Sequence, residues 1–230
     1  ARDRARAHTG EPETVLYVRA TGSTCKVKNS KGTVLGEMLA DLGTVNIADS
    51  ADALLEEIGL RPRKGERYLG VTVRPWPGFD EKAPAFAAAV DYAYQRYDLI
   101  PVFIPIEGRP DAAAAQKVAA QLQHAPAHLL PSCPSSELAI ALSARMDVAL
   151  SMRLHALIFA AVCRVPLVGV VYDPKVSAFL DDAGQDLYVQ LDQVTPELLR
   201  ALLDAAAQRR QDRGALEDKT ARLIQLERNN

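Results

Sequence analysis

The sequence predicts an α/β domain with a Rossmann-like, doubly wound parallel sheet. Three observations carry that expectation. Apolar runs of strand length recur from Tyr68 onward, as YLGVTV, LIPVFIPI, DVALS, VPLVGVVY and DLYVQL. These runs are apolar on both faces, the pattern of a strand covered by helices above and below. Segments of helical spacing lie between them, as right-handed crossovers between parallel strands require.

Taken in order, residues 1–13 form a polar lead-in and Val15–Arg19 a short strand. Ala20–Lys31, punctuated by Gly22, Ser23, Asn29 and Ser30, reads as a loop or hairpin. Val34–Leu42 has helical character weakened by Gly36. A firmer helix begins at Ser50, a good N-cap, and stops at Gly59, which tolerates the left-handed conformation. LRPRKGE then links to the strand YLGVTV, and the turn RPWPGF to a helix from about Pro84 to Tyr97. The strand LIPVFIPI, a loop at Glu107–Pro110 and an alanine-rich helix from Asp111 to about His124 follow. Ala127–Leu130 is a short strand and Ser135–Ala144 a helix. DVALS is a strand, Arg153–Cys163 a helix, VPLVGVVY a strand, Asp173–Asp182 a helix and DLYVQL the last strand. Helical spacing continues over Thr195–Glu227 with a break near Gly214. The expected organisation has three parts. Residues 1–63 are a partial N-terminal domain or irregular lead-in with a linker, 64–205 the Rossmann-like domain, and 206–230 a helical tail.

Composition narrows the function classes. The 230 residues are 48% hydrophobic and 24% charged, which excludes a disordered tail or fibrous repeat. Lys plus Arg is 27 against 29 Asp plus Glu, a net charge of -2. No nucleic-acid partner is implied, so any anion site must be assembled locally. Cys25, Cys133 and Cys163 are too scattered for a disulfide framework or a metal motif, which favours a reducing cytoplasm. No apolar run reaches the roughly 18 residues of a membrane span. ARDRARAH is not followed by the apolar stretch of a signal peptide. His124 and His128 lack metal-site spacing. The glycine-rich dinucleotide motif, the phosphate loop, the serine nucleophile elbow and the zinc peptidase motif are all absent.

Ligands of an open parallel sheet bind outside the carboxyl ends of its strands, and polar residues recur there. Arg74 follows YLGVTV, and Glu107 follows LIPVFIPI. Ser151, Arg153 and His155 follow DVAL, and Tyr172, Asp173 and Lys175 follow PLVGVV. Ser151-Met152-Arg153-Leu154-His155 is the sharpest group. A helix beginning near Met152, capped by Ser151, would offer free N–H groups to an anion. Arg153 adds a guanidinium fork for phosphate or carboxylate, and His155 a proton donor or acceptor near neutral pH. The plainer reading makes Arg153 a surface ion pair and His155 a hydrogen-bonded core residue. Trp76 either lies under a ligand or closes the sheet edge, and Asp173 before Pro174 suits a helix cap.

The run SMRLHALIFAAVCRVPLVGVVYDPKVSAFL, with GVTVRPW upstream, resembles the polysaccharide pyruvyl transferase family, particularly its bacterial cell-wall branch. Ser151, Arg153 and His155 match an S-x-R-x-H pattern, Tyr172–Lys175 a YDPK segment, and Arg74–Trp76 an RPW triplet. The resemblance covers about residues 50–205. It implies a glycosyltransferase-B-like fold of two Rossmann-like halves, of which this chain holds the C-terminal half with an incomplete first one. It also implies transfer of the pyruvyl group of phosphoenolpyruvate to a sugar diol, forming a cyclic ketal and phosphate. The implied acceptor is a lipid-linked cell-wall saccharide containing N-acetylmannosamine, and the modified polymer anchors surface-layer proteins. Such an acceptor would bring a cytoplasmic enzyme to the inner face of the membrane. On this reading His155 and Arg153 are catalytic, while Arg74, Ser151, Tyr172, Lys175 and Glu107 bind substrate. No cofactor or metal is expected. Two rival expectations remain. One is a glycosyltransferase using a nucleotide sugar, with Glu107 as the only loose candidate for a ribose partner; the other is a non-catalytic sugar-binding module.

Overall fold

The computed structural model describes residues 17–21, 24–28, 44–132 and 135–211. The first two segments are strands β1 (Tyr17–Thr21) and β2 (Thr24–Lys28), an antiparallel hairpin. The expected helix at Val34–Leu42 and the expected tail beyond Gln211, with its break near Gly214, lie outside the described residues.

From Thr44 the chain alternates strands and helices. Helix α1 (Thr44–Glu57) precedes β3 (Arg67–Thr72), α2 (Phe79–Tyr97), β4 (Leu99–Phe103) and α3 (Gly108–Ala119). Then come β5 (His128–Leu129), α4 (Ser136–Arg145), β6 (Val148–Ser151), α5 (Leu154–Val162), β7 (Leu167–Val171), α6 (Pro174–Asp182), β8 (Tyr188–Gln190) and α7 (Pro196–Gln211). Strands β3 to β8 form one parallel sheet in the order β5-β4-β3-β6-β7-β8. The chain winds outward from β3 through β4 to β5, then returns to lay β6 on the other side of β3. That reversal opens a crevice at the carboxyl ends of β3 and β6.

Both sheet faces are sealed, which is why the strands read as continuous apolar runs. Leu69, Val71, Val148 and Leu150 pack under α2, α3 and α7, where Phe79, Phe86, Val118 and Leu203 are fully buried. Tyr68, Val102, Ala149 and Leu167 face the opposite layer, with Ala51 and Leu55 of α1, Leu142 of α4, Leu157 of α5 and Leu180 of α6. The packed unit thus includes α1, further tied to α4 by an Asp52–Arg145 ion pair of 2.6 Å. It also includes α7, whose Asp204 accepts from the hydroxyls of Tyr92 (2.8 Å) and Tyr97 (2.7 Å) on α2.

Element boundaries depart from expectation where tertiary contacts override local signals. Helix α1 begins six residues before Ser50, so Ser50 is an exposed helical residue instead of a cap; the buried pair Ala51 and Leu55 holds that face to the sheet. Helix α2 begins at Phe79, not near Pro84, because Phe79 is anchored in the core beside Phe86. Pro84 sits exposed in the second turn, removing one intrahelical bond. Helix α3 starts three residues before Asp111 and ends at Ala119 instead of His124. The buried Asp91 carboxylate on α2 takes the backbone N–H groups of Gln123, His124 and Ala125 at 2.7, 3.0 and 2.7 Å, which pulls that stretch out of helix.

One glycine in the sheet is required by close approach. A Cβ at Gly169 in β7 would lie 2.6 Å from Leu180 Cδ1 and 3.2 Å from Tyr188 Cβ, between a buried helix side chain and the neighbouring strand. Gly169→Ala is expected to cost about 1–3 kcal/mol by overpacking, read as a shift of the urea midpoint with unchanged slope. An unshifted midpoint would show that α6 has room to move off the sheet.

Candidate active site at the carboxyl edge of the sheet

Strand β6 stays paired one residue past its end, since Met152 donates its N–H to the Thr72 carbonyl at 2.8 Å. That bond keeps the chain extended, so α5 begins at Leu154, and Arg153 takes the N-cap position with φ -83 and ψ 123. The expected helix start near Met152, capped by Ser151, is therefore two residues too early. Ser151 is 1% exposed. Its hydroxyl accepts the Arg153 N–H at 2.9 Å and donates to the Arg153 carbonyl at 3.1 Å. It closes the turn that aims Arg153.

Arg153 itself is 8% exposed and ion-paired. Its Nε donates to Asp111 Oδ2 at 2.9 Å and its Nη2 to Asp111 Oδ1 at 2.5 Å, a two-pronged contact. The same Nη2 lies 2.5 Å from Glu107 Oε2. Burial alone would lower the guanidinium pKa, but Asp111 and Glu107 raise it above its ordinary value. Asp111, 0% exposed, also accepts the backbone N–H groups of Ile106 (3.1 Å) and Glu107 (2.8 Å). Sequence reasoning missed its part in the site, treating Asp111 only as a helix start. The available signal was a carboxylate in the first turn of the helix that follows a strand end. The plainer reading placed Arg153 in a surface ion pair; the pair exists, but it is buried.

Arg74 leaves the end of β3 and Tyr172 the end of β7, the strands next to β6 on either side. Arg74 Nη1 donates to the Tyr172 hydroxyl at 2.8 Å, so the contact bridges the carboxyl end of β6. The Arg74 guanidinium carbon is 4.8 Å from the Tyr172 ring centre and 5.1 Å from that of Trp76, within cation–π range. The two rings lie 4.6 Å apart. Asp173 caps α6 as expected, accepting the Lys175 N–H at 3.0 Å, and its carboxylate lies 3.7 Å from Lys175 Nζ. His155 is half-buried in the first turn of α5. Burial pushes its pKa below the ordinary value, and the charges of Arg153 and Lys175 push it further.

Arg74, Arg153, His155 and Lys175 thus lie past the carboxyl ends of β3, β6 and β7, with the charges of Arg153 and Lys175 acting on His155. An open cleft of about 500 Å³ is lined by Pro75, Trp76, Pro77, Gly78, Asp80, Glu81 and Lys117, and Trp76 joins it to Arg74. Trp76, 37% exposed, supplies an apolar face, and Lys117 pairs with Asp80 at 2.6 Å. Among the described residues no group of three or more His, Cys, Asp or Glu side chains is placed to hold a metal ion. No helix among them is long and apolar enough to cross a membrane.

The family description "Polysaccharide pyruvyl transferase" matches residues 36–174, more than half of the chain. No curated protein matches it. Among solved structures, the glycotransferase of kitacinnamycin is similar at 18% identity and a TM-score of 0.50, over 74% of this chain and 41% of that one. The trehalose-6-phosphate synthase OtsA is similar at 15% identity and 0.51, over 80% and 46%. A UDP-forming α,α-trehalose-phosphate synthase from Burkholderia vietnamiensis is similar at 17% and 0.50, over 80% and 46%. These identities speak to fold alone: the domain is Rossmann-like, of the glycosyltransferase-B type. The chain spans less than half the length of each of these three proteins.

Proposed function

The chain belongs to the polysaccharide pyruvyl transferase family, and on that premise we propose that its crevice binds phosphoenolpyruvate and directs the pyruvyl group to two hydroxyls of a saccharide. The observation that supports the reading is the pair of cations Arg153 and Lys175 whose charges act on His155 at the carboxyl ends of β6 and β7, with Arg74 at the end of the neighbouring β3. The donor carries a carboxylate and a phosphate on one three-carbon unit. Several cations from different strands suit it better than one helix terminus would.

In the proposed reaction the first sugar hydroxyl adds to C2 of the enol while a proton reaches C3, making the methyl group. Phosphate then leaves with the C–O electron pair, and the second hydroxyl closes the ketal. Of the two hydroxyl protons, one is matched by the C3 proton and the other leaves on phosphate, so the exchange balances without a redox partner. His155, whose pKa burial, Arg153 and Lys175 push below the ordinary value, is suited to take the proton of an attacking hydroxyl and deliver it to the departing phosphate oxygen. Arg153 and Lys175 stabilise the charge that grows on that oxygen. Ser151 contributes by fixing the Arg153 backbone, and Tyr172 by holding Arg74. The Trp76 cleft offers a saccharide an apolar ring face beside carboxylates that accept from hydroxyls. The acceptor we favour is the lipid-linked, N-acetylmannosamine-containing saccharide of the cell-wall branch, met at the inner face of the membrane.

Thermal protection tests the donor. A ligand at about 100 times its Kd stabilises by about 2.7 kcal/mol, a rise of roughly 5–10 °C for a domain of this size. Phosphoenolpyruvate is expected to produce it and UDP-sugars are not. Protection by a nucleotide sugar and none by phosphoenolpyruvate would replace this reading with a glycosyltransferase.

A further inference from the structure

Two carboxylates share the Arg153 guanidinium, and they are not equivalent. Asp111 is 0% exposed and holds Arg153 Nε and Nη2 together with two backbone N–H groups. Withdrawing it would strand a buried cation and leave two backbone N–H groups without this acceptor. The Glu107 side chain is 56% exposed and reaches the outer Nη2 alone in its ion pair. Glu107 occupies the N-cap position of α3 but makes no side-chain capping bond there. Its carboxylate can therefore rotate into water without unravelling the helix.

The two carboxylates outnumber the one guanidinium they share, so Glu107 offsets charge that Arg153 would otherwise present to a ligand. A multiply charged anion approaching Arg153 meets Glu107 already seated and is repelled by it. We propose that Glu107 is an internal stand-in for the substrate anion: it pairs with Arg153 Nη2 and is displaced by the phosphate group of the incoming ligand, while Asp111 remains. This rests on the phosphoenolpyruvate reading for the identity of the ligand, but the displacement itself concerns any phosphate-bearing anion. Glu107 thereby sets a threshold. Ligands whose charge on Arg153 is no better than a carboxylate gain nothing by exchange, while a dianionic phosphate does. On this proposal Glu107 acts on substrate binding by yielding its place at Arg153.

Titration calorimetry with phosphoenolpyruvate and with inorganic phosphate tests this on the wild-type chain, on Glu107→Gln and on Asp98→Asn. The last is a charge-matched control. Asp98 is exposed ahead of the amino end of β4, opposite the site, with φ 55, a conformation asparagine tolerates. Glu107→Gln is expected to tighten both ligands about tenfold, with Asp98→Asn unchanged. A crystal grown with phosphoenolpyruvate should show Glu107 turned away from Arg153 and Asp111 in place. Equal or weaker binding by Glu107→Gln, equal tightening by Asp98→Asn, or no anion binding by any of the three overturns the proposal. Tightened phosphate binding with no affinity for phosphoenolpyruvate would uphold the displacement and overturn the donor reading instead.

Discussion

Asp111→Ala is expected to destabilise the domain by about 3–5 kcal/mol, the cost of breaking a buried ion pair from one side. That corresponds to a fall in melting temperature of roughly 6–20 °C at this size. The variant leaves the buried Arg153 charged, with the exposed Glu107 as its remaining carboxylate partner. It also strips the Ile106 and Glu107 N–H groups of their acceptor. Arg153→Ala fails in the opposite sense, leaving a fully buried carboxylate that keeps its two backbone donors but loses its cation. The pair is therefore expected to be strongly non-additive: Asp111→Leu with Arg153→Met should recover much of the single-variant loss, because no unpaired charge is left behind. Thermal melting of Asp111→Leu, Arg153→Met and the double variant closes the cycle. An Asp111→Ala protein melting within a degree or two of wild type would mean that water reaches Arg153 and that the contact is an ordinary surface pair. The double variant would keep the fold and lose the anion site, which separates the stabilising role of Arg153 from its binding role.

How far such a site can be seen in advance depends on which forces build it. The parallel sheet was legible because strands covered on both faces must be apolar throughout, and Leu69, Val71, Val148 and Leu150 are. Placing Arg74, Arg153, His155 and Lys175 at the working edge needed only strand ends. Their contacts were not legible. The Arg74–Tyr172 bridge joins residues 98 apart in the chain, and it follows from β3 and β7 flanking β6, an order that local pattern does not encode. Asp111 stayed hidden for a related reason. An aspartate in the first turn of a helix is ordinary, and only the return of β6 beside β3 sets Arg153 against it. Ser151 misled because it is a good capping residue, yet the Met152–Thr72 sheet bond claims the backbone first. Phe79 and Ala51 show the same competition within helices, where a buried side chain decides the boundary over a nearby proline or serine.

His155→Ala is expected to lower kcat for acceptor-dependent phosphate release by about 10²–10⁴, the usual worth of a positioned acid–base group. KM for phosphoenolpyruvate should change little, since Arg74, Arg153 and Lys175 remain. The pH behaviour makes the assignment more specific. Burial, then Arg153, then Lys175 hold the His155 pKa below 6.5. The unfolded chain therefore binds the extra proton first as pH falls, so stability rises with pH across the interval between the folded pKa and 6.5. This contribution is complete above that interval and is lost on acidification through it. A bound anion alters the balance, because its charge offsets the two cations that disfavour imidazolium. Saturating phosphoenolpyruvate should then raise the His155 midpoint in an NMR titration and draw a proton from solution in calorimetry run in buffers of different ionisation enthalpy. A raised midpoint would strengthen the imidazole as the base that takes the hydroxyl proton and returns it to the departing phosphate. Near-wild-type turnover in His155→Ala would remove the residue from the chemistry. A midpoint unmoved by the donor would mean that phosphoenolpyruvate binds away from the Arg153–Lys175 corner.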